Sequence, residues 1–501
     1  MENHNISPKS NVAASYKILF AVLVFLFFFI FYAVIHPLIP IDLDDWSYII
    51  KNRIFLPIWG AWNPAKVFPE FFYPLMSSIG AYVIYPLNND YLQSQCIIHA
   101  IVVSMSITGY TLSFLHFVRS KFSISSSTAY MLTILFLMLH FLIFRTEETN
   151  NIYMFYANDV NCYYNYIIPD LLCASLVLSL LSKDWLKDKI MPTFKNSIII
   201  VLLYLAICSN LYSSIILGGF IVSNILIDLI RCYRVDKKYI DVLKLNIKKI
   251  IIVVCWLIVH LFEAFGLRAK AASEFQVSLF DSIQTTLSNI VNMEISKIFL
   301  LLVMLSIICF TIIIYKNISG GKSIFYQVSL SFLICLVYII LLSAKVSPDY
   351  IIINNGNFPF FFYLILFVCI ILAIIVQKKK VIQLLLPYFI LLFYSFINRT
   401  SNTFSDIWRQ YDFKTLSELT RKNVNVIISA DKNYIKIIKI TIPDFNNNYN
   451  WPIKLDLDYS NALYKHGVIK SYVKVKLIKG KNITEWENDG SGQRVPLVAH
   501  E

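Results

Sequence analysis

The chain has 501 residues, of which 57% are hydrophobic and only 15% are charged. A soluble domain has no core large enough for so many apolar side chains, so this composition excludes a soluble globular fold and indicates an integral membrane protein. The net charge of +13 does not call for nucleic acid. Most basic residues stand in loops between apolar runs, where the positive-inside bias and anionic lipid account for them.

Apolar runs of about 17 to 25 residues recur along the chain. Each must be helical, because the bilayer offers no hydrogen-bond partners to backbone groups. The fold class is therefore an all-α polytopic membrane protein. The predicted spans are Tyr16–Ile35, Leu92–Val118, Ala129–Phe144, Tyr164–Leu181, Ser197–Ser209, Tyr212–Ile230, Ile250–Phe265, Ile298–Tyr315, Ile324–Ser343, Phe358–Val376 and Val381–Ile397.

Charged residues in the loops predict the orientation of these spans. Lysines and arginines concentrate in alternate loops, such as 183–195 and 231–249, and acids occupy the loops between them. This alternation predicts about eleven spans, with the N-terminus inside and the C-terminus outside. It holds if the proline-broken segment Phe71–Leu87 re-enters or lies in the outer interface. If Ser209-Asn210 is instead the unwound middle of one span, Phe71–Leu87 must cross.

The chain after the last span is polar and predicts a small α/β domain on the external face. Ser405 can cap a helix with apolar residues at helical spacing, and strand-like alternation follows at Tyr434–Ile442 and again from Tyr472 to Leu477. The predicted organisation is a cytoplasmic N-terminus at 1–15, a membrane domain at 16–397 with its first external loop at 37–91, an external domain at 398–489 and a flexible tail at 490–501.

The first external loop places Asp42, Asp44 and Asp45 within four residues, just beyond the first span. Clustered carboxylates repel one another and are held together by a metal ion, by a role in proton transfer or by a hydrogen-bonded cap. The sequence leaves two interpretations open. Either the cluster carries chemistry, or these are solvated loop acids with Asp44 as a helix cap.

Other polar candidates lie in the same loop and in the next external one. Trp62 and Asn63 suit an interface anchor or a sugar-stacking surface. Lys66 suits a phosphate or a lipid headgroup. The second external loop carries further candidates, which are Glu147, Glu148, Asp159, Asn165 and Tyr166.

Arg268 and Lys345 are the external cations best suited to a lipid-linked phosphate, as charge-assisted donors. Glu263 either pairs with Arg268 as a structural link or takes part in chemistry. Ionisable residues within spans, such as Asp170 and His260, are functional candidates because their burial is costly.

The sequence Asp44-Asp45-Trp46 after the first span resembles the acidic motif of the polytopic C-type glycosyltransferases, which use polyprenyl-phosphate sugars. Within that superfamily the chain looks most like an uncharacterised bacterial group related to the O-antigen glucosyltransferases. The group's Trp-Asn-Gly-Arg motif is similar to the stretch from Trp62 to Lys66, where Lys66 replaces the arginine if the register shifts by one. Its Asn-Tyr motif is similar to Asn165-Tyr166.

The resemblance implies an inverting glycosyltransferase of the bacterial inner membrane with a periplasmic active face. Its partners would be a polyprenyl-phosphate-linked sugar, a glycan or lipopolysaccharide acceptor, and membrane lipid. Asp44 would be the general base, Asp45 would orient the acceptor or help to hold a metal, and Arg268, Lys345 or Lys66 would stabilise the leaving phosphate. Members of the superfamily differ in whether they need a metal; where a divalent cation is used, Mg²⁺ or Mn²⁺ would be bound by Asp44, Glu147 and Asp159.

Two other functions remain open at this stage. An O-antigen or polysaccharide polymerase or ligase also acts on lipid-linked sugars, but it is expected to carry large arginine-rich external loops, which are missing from this sequence. A lipid-linked glycan flippase or transporter predicts internal repeats and broken helices. No repeat is visible, and a flippase has no evident use for an external domain.

Overall fold

The protein is described from a computed structural model that covers residues 8–145, 153–157, 159–187, 194–234, 239–273, 278–315, 322–378, 383, 386–392, 413–444 and 456–482. Helices dominate these ranges, as the composition predicts. The helices of the membrane part are α1 (Pro8–Ile30), α2 (Leu43–Tyr48), α3 (Val67–Ile79), α4 (Tyr85–Asn88), α5 (Tyr91–Lys121), α6 (Ser126–Leu142), α7 (Val160–Cys162), α8 (Ile168–Ser182), α9 (Phe194–Ile207), α10 (Leu211–Arg234), α11 (Tyr239–Leu245), α12 (Ile247–Ala264), α13 (Leu267–Ser273), α14 (Leu279–Val291), α15 (Lys297–Tyr315), α16 (Lys322–Val346) and α17 (Asn354–Lys378).

Three π-helical turns extend or join these helices, at Phe31–Ile35, Gly80–Ile84 and Tyr163–Ile167. A short 3-10 helix, Pro348–Ile351, precedes α17. Because the second π-turn connects α3 to α4 without a break, the residues from Val67 to Asn88 form one continuous rod.

Seven helical segments of the described ranges are long and apolar enough to cross a membrane. They are Ser15–Ile35, Val67–Asn88, Tyr91–Lys121, Val160–Ser182, Leu211–Tyr233, Ser323–Val346 and Pro348–Lys378. Three shorter apolar helices, Ser126–Leu142, Asn196–Ile207 and Lys297–Ile313, also coincide with predicted spans. The chain is therefore a multi-pass membrane protein. The count of eleven spans and their orientation stay predictions.

Two of the predicted spans are not among these apolar helical segments. The predicted span Ile250–Phe265 coincides with α12, which carries Lys248, Lys249 and Glu263 near its ends. The predicted span Val381–Ile397 lies mostly outside the described residues.

A turn at Ser209-Asn210 separates α9 from α10. At one end of the bundle Asn210 Nδ2 donates to the Asn165 carbonyl (2.6 Å), beside the start of α8. At the other end Lys249 Nζ contacts both Asp184 Oδ2 (2.7 Å), which follows α8, and Asn224 Oδ1 (3.1 Å) in α10. Helices α8 and α10 therefore run in the same direction, and α9 runs back between them. This arrangement matches the interpretation of two helices joined by a tight turn.

Both ends of the continuous rod from Val67 to Asn88 lie near α2. Lys66, just before the rod, interacts electrostatically with Asp44. Tyr91, just after it, packs on Trp46 with 6.2 Å between ring centroids. Length and apolarity would let the rod cross a membrane, but its two ends share one neighbour.

The soluble domain combines α18 (Phe413–Lys432), β1 (Ile437–Asp444), α19 (Asp456–Lys465) and β2 (Lys474–Asn482). The strands pair in parallel, with Ile438 opposite Val475 and Ile440 opposite Leu477, and these four side chains are buried. Strand β1 begins later than the predicted Tyr434, because Tyr434 adopts a left-handed φ of 58° where α18 ends. The predicted cap at Ser405 and the tail 490–501 lie outside the described residues.

Close packing of α10 on α12 predicts a measurable effect of adding one methyl group. A Cβ at Gly218 would lie 2.8 Å from the Trp256 ring, whose Nε1 donates to Ser214 Oγ (3.0 Å). We expect Gly218→Ala to destabilise the protein by about 1–3 kcal/mol through overpacking, seen as a lower melting temperature in detergent. The matched control is Gly109→Ala, where nothing lies within 4 Å. An equal melting temperature for both variants would contradict this packing.

Candidate functional site

The site begins with the short helix α2, which the acidic cluster itself caps. Asp42 has extended backbone geometry, and its side chain accepts a hydrogen bond from Asp44 N (3.0 Å). Asp45 completes a capping box by accepting from the Asp42 N–H (3.0 Å). Acidic side chains in the first turn also interact favourably with the helix dipole. The cap is Asp42, two residues earlier than in the capping interpretation that named Asp44.

Asp45 is fully buried and joins two loops. Its Oδ2 accepts from the Ile41 N–H (2.9 Å) as well as from Asp42, and its Oδ1 accepts from the Asn161 N–H (2.7 Å) in α7, which lies in the predicted second external loop. Burial raises the pKa of Asp45, and nearby Asp159 and Asp42 raise it further, against the opposing effect of the backbone donors. These contacts give Asp45 an anchoring role. Its role towards an acceptor or a metal stays a prediction.

Asp44 differs sharply from its neighbour. Its side chain is exposed, and within the described part of the chain its carboxylate accepts no hydrogen bond. Partial desolvation and then Asp42 raise the pKa of Asp44, whereas the charges of Lys66 and Lys51 lower it. A solvent-accessible carboxylate with a raised pKa and nearby cations is suited to accept a proton.

A pair of cations lies beside Asp44. Burial and then the charge of Arg268 lower the pKa of Lys66 to about 8. The Arg268 guanidinium interacts electrostatically with Tyr166, and the Lys66 ammonium lies 5.9 Å from the centroid of the same ring. The two cations are thus held together despite their repulsion. Such a pair is suited to bind an anion, because a bound phosphate would relieve that repulsion.

The chain around Gly266 explains how Arg268 reaches Lys66 from about 200 residues away. The Leu267 N–H donates to the Ala61 carbonyl (3.0 Å), and the Ala65 N–H donates to Glu263 Oε2 (3.4 Å). A Cβ at Gly266 would lie 2.8 Å from the Ala61 oxygen, so only glycine permits this approach. Glu263 therefore acts as a structural link to the first external loop, beside Arg268.

Arg53 and Glu70 stabilise the same loop. Their side chains form a half-buried ion pair (2.7 Å), and Arg53 also donates to the Asn63 carbonyl. The Asn63 side chain is buried and partly offsets the rise in the pKa of Glu70 that burial causes, while its Oδ1 has no partner within the described structure. Sequence reasoning missed Arg53. Its signal was a third basic residue, besides Lys51 and Lys66, in the loop that also carries Glu70.

Asn165 and Tyr166 lie together behind the cations. Asn165 Nδ2 donates to both the carbonyl and the side-chain oxygen of Asn161 (2.9 Å each), so the amide orients the segment that carries the N–H bound to Asp45. Its own Oδ1 is buried and without a partner in the described structure. The predicted pair therefore divides its roles: Asn165 supports the loop and Tyr166 contacts the cations.

Two predicted substrate-binding residues take peripheral places. Trp62 is 50% exposed and follows the apolar stretch of the loop. Lys345 is exposed near the end of α16, and no described contact connects it to Lys66 or Arg268. Its predicted role therefore has no geometric support.

The described residues do not supply a ligand set for a metal ion. Within the described ranges no three His, Cys, Asp or Glu side chains are grouped suitably. Asp159 caps α7 by accepting from the Cys162 N–H (2.6 Å). Glu147 and Glu148 lie outside the described residues, so the predicted Asp44, Glu147 and Asp159 set stays a prediction.

The chain was compared with protein-family models, with curated proteins and with solved structures. None of the three comparisons finds a match. A function for this chain must therefore be inferred from its own residues.

The anchoring role of Asp45 predicts a contrast between adjacent aspartates. Asp45→Asn would place an NH₂ group against backbone N–H donors, and we expect a loss of about 2–4 kcal/mol in stability. Asp44→Asn, the matched control, should leave the melting temperature in detergent close to that of the wild type. Equal stability of both variants would show that Asp45 does not anchor the loops.

Proposed function

We propose that the protein is a membrane glycosyltransferase that transfers a sugar from a polyprenyl-phosphate donor to a cell-surface glycan or lipopolysaccharide acceptor. The observation that carries the proposal is the exposed Asp44 carboxylate beside the Lys66 and Arg268 pair. A base and an anion site side by side are what such a transfer requires.

In the proposed reaction Asp44 takes the proton from an acceptor hydroxyl. The hydroxyl oxygen then forms a bond to the anomeric carbon, and the bond from that carbon to the phosphate oxygen breaks. Attack opposite to the leaving group inverts the anomeric configuration. The electron pair of the broken bond stays on the lipid phosphate, where Lys66 and Arg268 stabilise the added negative charge. The side chains named here carry out each of these steps, and the predicted metal site of Asp44, Glu147 and Asp159 stays a prediction.

The proposed topology has eleven spans with the N-terminus inside. Three observations support it: α8 and α10 run in the same direction with α9 between them, the rod from Val67 to Asn88 begins and ends near α2, and the soluble domain contacts α2. The rod then lies in the outer interface. In this topology the site faces the periplasm of a bacterial host, as the resemblance implies.

The proposal predicts that Asp44→Asn abolishes sugar transfer while the protein stays folded. Loss of a general base typically costs about 10²- to 10⁴-fold in rate. The measurement is transfer of radiolabelled sugar from polyprenyl-phosphate donors in membranes that contain the wild type or the variant. Asp281→Asn, in the exposed first turn of α14, is the control and should retain activity. Equal transfer by Asp44→Asn would remove this base, and no wild-type transfer from any donor would favour a polymerase or a flippase.

The two titrating groups predict a bell-shaped pH dependence of kcat/KM. Asp44 must be ionised, so activity should be lost as the pH falls through its raised pKa, at higher pH than for an ordinary aspartate. Lys66 must be charged, so activity should also be lost as the pH rises through about 8. Lys66→Arg should move the alkaline limb to higher pH. An unchanged alkaline limb in this variant would exclude Lys66 as its source.

A further inference from the structure

The soluble domain contacts the helix that carries Asp44. The ring of Tyr459 in α19 packs edge-on against Trp46 with 4.5 Å between centroids, and both side chains are fully buried. Next to them, Ser47 Oγ donates to Asp458 Oδ2 (2.7 Å). Two successive residues of α2 are therefore held by two successive residues of α19.

The same domain also contacts the end of the rod and the start of α5. These contacts share the external face and involve residues far apart in sequence: Tyr82 OH donates to the Lys465 carbonyl (2.5 Å), Tyr91 OH shares a hydrogen bond with His466 Nδ1 (2.7 Å), and Arg421 forms an ion pair with Asp90. The domain thus bridges α2 and α5, and a shift of the domain would move α2.

Helix α2 depends on such contacts for its position. It has six residues, and a helix this short is not stable on its own. Asp44 precedes Ser47 by three residues, so the two side chains lie on adjoining parts of the helix surface. The direction of the Asp44 carboxylate therefore depends on the contacts that the soluble domain makes with Trp46 and Ser47.

We propose that the soluble domain is a positioning element for the reaction, in which Asp458 and Tyr459 hold α2 so that Asp44 faces Lys66 and Arg268. This inference rests on the proposed function. The domain would then control the orientation of the base, Asp44. The anion site would be unaffected, because no residue of α2 contributes to it.

The test uses the full-length double variant Ser47→Cys and Asp458→Cys, which lacks the hydrogen bond between α2 and the domain. Before cross-linking, kcat should fall by roughly 10- to 100-fold, because a small misplacement of a reacting group costs this much. The KM for the lipid donor should stay close to the wild-type value. A short bis-methanethiosulfonate reagent should then join the two cysteines and restore kcat, and reduction should reverse the gain.

Matched controls separate this effect from general damage. Each single cysteine variant should not respond to the reagent, which also controls for the native cysteines. Tyr464→Ala, on the same helix as Tyr459 but half-exposed, should keep the wild-type kcat, whereas Tyr459→Ala should lower it and Tyr459→Phe should retain it. An unchanged kcat in the double variant, or no recovery after a cross-link is shown by mass spectrometry, would overturn the inference.

A second readout does not require catalysis. Hydrogen exchange of the α2 amides, residues 43–48, should be faster in the uncross-linked double variant and return to the wild-type rate on cross-linking. If the wild type transfers no sugar, the proposed function fails, but the exchange rate still shows whether the soluble domain holds α2 in place. If exchange is the same in all forms, the positioning role fails even in an active enzyme.

Discussion

Three backbone N–H groups converge on one buried carboxylate, that of Asp45, and the geometry of the candidate site depends on this convergence. Two of the donors precede α2, and the third belongs to Asn161 in α7. A charge buried without such donors is strongly destabilising, so the loops must stay together for Asp45 to be accommodated. The anchor fixes where α2 starts, and therefore where Asp44 projects.

Adjacent residues with the same side chain thus have opposite environments. Asp45 points into protein and meets backbone donors, whereas Asp44 points out, and the charges of Asp42, Lys66 and Lys51 act on it at longer range. Arg268 is brought to Lys66 by the close approach of Gly266 to Ala61. Structural support and the proposed chemistry are therefore carried by different residues of one acidic motif.

Much of this could be predicted from local sequence. Apolar runs predict the long helices. The stretch from Asp42 to Asp45 marks the start of a helix, and it lies where the sequence predicted a catalytic site. The strands of the soluble domain follow from alternation, since one face of each is buried. The two-residue error in the cap position arose because both Asp42 and Asp44 have side chains able to cap a helix.

The remaining features depend on contacts between distant residues. Nothing local indicates that Arg268 reaches Lys66 or that Tyr459 covers Trp46, because these approaches are set by the packing of whole helices. Lys345 shows that a suitable charge in the sequence is not enough. It was predicted to lie on the same side as Lys66 and Arg268, but it has no described contact with them. The number of spans also cannot be predicted from local sequence. The rod from Val67 to Asn88 is apolar enough to cross a membrane, and yet both of its ends lie near α2.

The most direct test of the central claim is to locate the donor phosphate. A polyprenyl-phosphate sugar with a photoreactive group next to the phosphate would be irradiated with the purified protein, and labelled peptides would be mapped by mass spectrometry. We predict labelling in the segments that contain Asp44, Lys66 and Arg268, and its loss in the double variant Lys66→Gln and Arg268→Gln. Labelling that persists in the double variant, or that maps to the opposite end of the bundle near Asp184 and Lys249, would contradict the account.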